Sequence, residues 1–216
     1  YIYKEVIERL GNAQLQPGNT MIAYVGSGSI GVAVYDGKKI VYSQNISMGA
    51  LKLHDILYRL RQEAEDFFYI VEEYLDTIFN RLAISDFQVN NLILTGSQLE
   101  LIANLCNAKT SETPYQIHVK KLSSLYHSIR SATIESISDR FGITEERAAL
   151  LYTSLSIYNG LLRFCPQTET VISPVVDISE AMLRYQLVPK AEIDLATYLK
   201  ESALACAETT ARSFGC

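Results

Sequence analysis

The order of strand-like and helix-like segments predicts an α/β lobe built on a mixed sheet. Two observations carry that expectation. Three short β-type runs follow one another closely, at 21–25, 30–36 and 39–47. Beyond them, helix-like stretches alternate with single strand-like ones. No internal repeat interrupts this order.

Taken in order, residues 2–14 set Ile2, Val6, Ile7 and Leu10 at helical spacing, and Pro17-Gly18-Asn19 breaks the pattern. The runs MIAYV, IGVAVYD and KIVYSQNIS then form an antiparallel meander. Its first link is Gly26-Ser27-Gly28-Ser29, and Asp36-Gly37 in the second is a type I′ hairpin signal. Residues 49–61 are mildly amphipathic. Residues 63–82 gather Phe67, Phe68, Val71, Tyr74, Leu75, Ile78, Phe79 and Leu82 on one broad face of a core helix. The run 91–98 reads as a buried strand ending in a Gly-Ser turn, followed by a helix at 99–106. After Pro114 a short extended piece precedes helices near 121–140 and 144–164, the latter capped by Thr144. A strand at 170–173, a helix near 177–186 and a helix after Pro189 complete the chain.

Composition narrows the function. In 216 residues 48% are hydrophobic and 20% charged, which excludes a disordered or low-complexity chain. A net charge of −5 argues against a general binder of nucleic acid or anionic membrane. No apolar run reaches the roughly 18 residues that span a bilayer. Cys106, Cys165, Cys206 and Cys216 contain no CxxC pair and no zinc-type cluster, so free thiols in a reducing cytoplasm are expected. The chain opens on Tyr1 with no basic-then-apolar leader, and is expected to be part of a longer protein.

Two turns carry the candidate chemistry. Glycines at Gly26 and Gly28 allow backbone N–H groups to converge on an anion, and Ser27 and Ser29 add hydroxyl donors. A tight hairpin needing glycine only for its backbone is the plainer alternative. Gly96 and Ser97 lie between a strand end and a helix N-terminus, where the helix dipole favours negative charge. His118, Lys120, Lys121, His127 and Arg130 form a modest basic cluster that reads more simply as a solvated helix face. His54 and Asp36 read as ordinary surface and turn residues.

The stretch IAYVGSGSIGVAVYDGKKIVYSQNISMGALKLHDIL (22–57) resembles the phosphate-loop hairpin of the exopolyphosphatase/guanosine pentaphosphate phosphohydrolase family (Ppx/GppA). NLILTGSQLELIANL (91–105), ITEERAALLYTSLSIYNGLLRF (143–164) and VISPVVDISEAML (171–183) resemble its later motifs in the same order. YLKESALACAETTARSFGC resembles the start of the helical domain found in longer members.

The resemblance implies an actin-like ATPase (ribonuclease H-like) fold, specifically its second lobe at 1–189. It also implies a helical extension starting at 190–216 and a first lobe outside this chain. It implies a phosphate-facing role for Gly26, Ser27, Gly28, Ser29, Gly96 and Ser97, and polyphosphate or a guanosine polyphosphate as ligand. It further implies Mg2+ in an intact parent, none of it held by this chain alone. Two departures bear on chemistry. Tyr24 and Gly31 stand where the family carries the Asp and Glu that serve metal and attacking water. Arg147 matches, whereas Ala149 and Ser179 replace an Asp and an Arg. The expected function is the second lobe of a phosphohydrolase that works with its first lobe. The alternative is a degenerate phosphate- or nucleotide-binding, regulatory or dimerising module, a pseudoenzyme without turnover. No catalytic residue is assigned to this chain, and no nucleic-acid or membrane partner.

Overall fold

A computed structural model of the chain describes residues 2–10, 15–60, 67–108 and 114–176, with scattered positions between 179 and 211. The helix expected near 177–186 and the extension at 190–216 lie largely outside these residues, as do Cys206 and Cys216.

Helix α1 (Ile2–Leu10) leads into a meander of β1 (Asn19–Val25), β2 (Ile30–Tyr35) and β3 (Ile40–Ile46). Helices α2 (Ala50–Leu60) and α3 (Phe67–Phe79) follow, then β4 (Val89–Gly96) and α4 (Leu99–Leu105). The chain continues through β5 (Tyr115–His118), α5 (Val119–Ile129), α6 (Ile134–Phe141), α7 (Glu145–Leu161) and β6 (Thr170–Ser173). These strands form one sheet in the order β3-β2-β1-β4-β6-β5. The meander is antiparallel, β4 runs parallel to β1, and β6 runs parallel to β4. Edge strand β5 turns back antiparallel to β6. The predicted α/β lobe with a mixed sheet is the fold observed.

Alternation along the strands separates two faces. Met21, Ala23 and Val25 of β1, with Leu92 and Leu94 of β4, enter the larger core together with residues of α2, α3 and α7. Ile22, Ile93 and Ile172 point the other way and pack with Val6 and Leu10 of α1. Helix α7 is buried almost all round, from Ala148 to Leu161, as an apolar helix without a solvent face should be. Two of its buried hydroxyls bond within the helix: Thr153 donates to the Ala149 carbonyl at 3.1 Å and Ser156 to the Tyr152 carbonyl at 2.8 Å. Gly160 lets α3 approach, because a Cβ there would lie 2.5 Å from the Phe79 ring.

Two local expectations are corrected. The helix expected over 121–140 is two helices, because the Thr133 hydroxyl caps α6 by accepting from the Ser136 N–H at 3.1 Å. The Asp36-Gly37 hairpin is not type I′, which needs positive φ at both central residues. Gly37 alone takes it, at 94°, while Lys38 stays outside that region. Among the described residues no helix is long and apolar enough to cross a membrane.

Candidate functional site

The two glycine turns lie at the same end of the sheet. Strands β1 and β4 are parallel neighbours, and the ladder pairs Val25 with Gly96. Residues 26–29 and 96–97 therefore sit side by side at carboxyl strand ends, where folds of this class leave a crevice. Strand β6 ends there too, and the Thr95 hydroxyl reaches the Pro174 carbonyl at 3.3 Å.

The first turn is closed by the Gly26 N–H donating to the Ser29 carbonyl at 2.9 Å. Its other carbonyls hold the start of α2. The Gly26 oxygen accepts from the Ala50 N–H at 2.9 Å, and the Ser27 oxygen accepts from Leu51 at 3.0 Å and Lys52 at 3.3 Å. The turn thus caps α2 in place of a side chain. In a trans peptide the C=O and the following N–H point in opposite directions. With the Gly26 and Ser27 carbonyls aimed at α2, the Ser27 and Gly28 amides aim away from it. Ser27 and Gly28 are exposed, and a Cβ on Gly28 would meet nothing within 4 Å. The first turn of α2 carries no acid and includes Lys52, whose Nζ lies 3.2 Å from the Ser47 carbonyl.

Neither Gly26 nor Gly28 uses positive φ; at Gly26 it is space that excludes a side chain, because a Cβ there would lie 2.9 Å from the Tyr24 ring, whereas Gly28 has open room. A residue outside the candidate set proves equally bound to this turn. A Cβ on Gly49 would lie 2.5 Å from both the Ser27 carbonyl carbon and the Ser29 nitrogen. The Gly-Ala pair at the head of α2 was its available signal.

The second turn is built differently. Gly96 has φ 153°, and a Cβ there would sit 2.5 Å from the Val25 oxygen and 2.6 Å from the Tyr158 hydroxyl. Tyr158 rises from α7, fully buried, with its hydroxyl 3.4 Å from the Thr95 carbonyl. Burial pushes its phenol well above the ordinary tyrosine range, and nearby Tyr24 adds to the shift. Ser97 is exposed, but α4 is only 7 residues long, has no side-chain cap and carries Glu100 in its first turn. That negative charge occupies the end where an anion would be drawn.

Positions 24 and 31 are cross-strand partners on the face covered by α1. Tyr24 lays its ring over Gly26, with Cε1 at 2.9 Å and the hydroxyl at 3.3 Å from a Cβ built there. Beside Gly31 stands Tyr3 of α1, its hydroxyl 2.5 Å from the corresponding Cβ position. Phenols therefore stand beside the two positions at which the resemblance implies carboxylates. The residues at this end do not fit a resident Mg2+. Neither Tyr24 nor Gly31 is a hard anionic ligand, and among the described residues no group of three His, Cys, Asp or Glu could hold a metal.

The remaining candidates lie elsewhere. His118, Lys120, Lys121 and His127 are exposed on β5 and α5, with His118 paired to Thr170 at the opposite end of the sheet. Arg130 faces Glu72 at 3.6 Å. His54 borders an apolar hollow of about 300 Å³ with Leu51, Tyr58, Ile134 and Leu150, between α2, α6 and α7.

No family profile and no curated protein matches the chain. Solved structures do. An exopolyphosphatase from Cytophaga hutchinsonii is similar over 81% of this chain and 59% of its own, at 17% identity and a TM-score of 0.66. A Ppx/GppA family member from Aquifex aeolicus is similar over 80% of this chain and 57% of its own, at 15% identity and a TM-score of 0.63. An exopolyphosphatase-like protein is similar over 84% and 64%, at 10% identity and a TM-score of 0.67. The chain thus spans less than two thirds of the length of each and has the fold of that portion, an actin-like ATPase-type α/β lobe.

Proposed function

We propose that this chain is the second lobe of a Ppx/GppA-like protein and that it binds phosphoryl groups at the 26–29 turn without hydrolysing them itself. The observation that carries the reading is the bare, exposed turn whose carbonyls are committed to α2, so that the Ser27 and Gly28 amides face outward as anion donors. Lys52 and the acid-free first turn of α2 favour negative charge nearby. Gly96 and Ser97 form the adjoining wall, supported by the pairing of Val25 with Gly96. A phosphate chain or a guanosine polyphosphate is the ligand class, and the cytoplasm is the compartment that such ligands and two unpaired thiols suit.

Hydrolysis needs an activated water, and Tyr24 and Gly31 offer no carboxylate to activate it. Titration of the folded chain with inorganic phosphate and tripolyphosphate, followed by amide NMR, should show weak binding centred on residues 26–29. Absence of any shift there sinks the reading. A phosphate-release assay on polyphosphate should find no turnover by this chain.

A second reading is favoured by the likeness to exopolyphosphatase folds and by the partial span of those chains. A longer protein carrying a first lobe would hydrolyse the phosphate chain with acids supplied from that lobe. Rapid phosphate release by such a protein, abolished by blocking the 26–29 turn, decides for it.

A further inference from the structure

The geometry points to a separate binding site, for a neutral saccharide of one or two pyranose rings, at the opposite end of the sheet from the 26–29 turn. A hollow of about 430 Å³ opens there, at the amino ends of β4 and β6 on the α1 side of the sheet. Ile172 is the apolar residue in its lining, and Gln116 stands beside it as cross-strand partner on edge strand β5. Hydrogen bonds running between elements join the walls. Buried Asn91 accepts from the Gln16 N–H and donates to the Gln16 carbonyl, each at 2.8 Å. The Thr168 hydroxyl donates to the Asn90 carbonyl at 3.2 Å, and the Glu169 carbonyl accepts from the Val119 N–H at 2.9 Å. None of these bonds uses the side-chain amides of Gln16, Asn90, Gln116 or Gln167, which line the hollow and are exposed. The shape is thus set before a ligand arrives, while donors and acceptors remain open to it.

The lining selects its ligand by exclusion. Among the described residues that form it none is cationic, and Glu169 would repel a phosphate chain. A divalent cation would find that single carboxylate among neutral amides. A nucleobase wants a stacking partner, and no aromatic side chain lines the hollow among the described residues. A molecule dense in hydroxyls fits what is present. A carboxamide sets an N–H donor beside a carbonyl acceptor, and so spans two adjacent hydroxyls of a sugar ring. The Glu169 carboxylate accepts from others in the stronger, charge-assisted way. Thr170 adds a hydroxyl, and Ile172 offers a surface to the C–H face of the ring. The volume also lies in the range of small-molecule sites, roughly 300–1,000 Å³.

Titration of the full chain with glucose, galactose, maltose and lactose, read by amide NMR, tests the assignment. At least one of these sugars should shift the side-chain NH2 signals of Asn90, Gln116 and Gln167 saturably, with a Kd on the order of 1 mM. Shifts that grow without saturating, or no shift of these signals with any of the sugars, overturn the inference. Gln116→Ala and Gln167→Ala change exposed side chains and should leave the denaturation midpoint where it was. Each should weaken binding about five- to ten-fold, the worth of one hydrogen bond, and the double variant should bind no sugar saturably. Undiminished binding by the double variant places the sugar elsewhere and overturns the inference as well. Sodium tripolyphosphate, whatever it does at residues 26–29, should leave the sugar affinity unchanged. Competition between the two ligands would contradict a separate site that repels anions.

Discussion

At the scale of single residues, glycines do unlike work in the two turns. Gly96 combines positive φ with close approach of the Val25 oxygen and the Tyr158 hydroxyl. Gly49 has ordinary backbone angles, and only space forbids it a side chain. Gly49→Ala should therefore destabilise the fold by about 1–3 kcal/mol in urea denaturation, the usual cost of forcing one methyl into packed structure. Gly28→Ala, which meets open space, should unfold with the parent. Equal loss from both would contradict the packing described. The sequence showed glycine at these positions but not the reason for it. Backbone freedom was the expected cause in the first turn, while the observed one depends on where Tyr24 and the head of α2 come to rest.

At the scale of elements, the β2–β3 hairpin is tied by the Asp36 carboxylate, which accepts from the Lys38 and Lys39 amides, each at 2.8 Å. Partial burial alone would raise the Asp36 pKa. The two amide bonds, with the charges of Lys39 and Lys38, outweigh that and hold it below the usual carboxyl value. A depressed folded-state pKa contributes stability above the unfolded carboxyl pKa and loses it as pH falls through the folded one. Denaturation midpoints followed from pH 7 into acid should thus fall more steeply for the parent than for Asp36→Ala. Parallel curves would refute this role. Strand and helix identities were legible from period and run length, down to the β6 strand at 170–173. The break before α6 was not, because residues on both sides of Thr133 suit helix and only its cap divides them.

At the scale of the whole molecule, the chain closes its core around α7, and two thiols lie within that core. Burial pushes Cys106 up to about 11, with Lys121 drawing it partly back, and burial pushes Cys165 up to about 12. Thiols held neutral react slowly, since the thiolate is the nucleophile. At pH 8 an alkylating reagent should leave Cys106 and Cys165 unmodified until denaturant is added, as peptide mapping would read. Labelling of either in the native chain would argue against this core. Above the ordinary thiol pKa the unfolded chain ionises first, so stability should decline as the solution turns alkaline. The architecture itself was legible from element order, because a meander followed by alternating helices and strands admits few sheets. The partnership of Tyr3 with Gly31 was not, because it depends on how α1 lies across the sheet, which no spacing in residues 2–31 encodes.

The carbonyls of Gly26 and Ser27 give the turn a fixed electrical sign. To offer oxygen to a metal ion, those peptide planes would have to flip, and Ala50 and Leu51 would lose their acceptors. The start of one helix thus fixes which way two peptide planes of the turn can face.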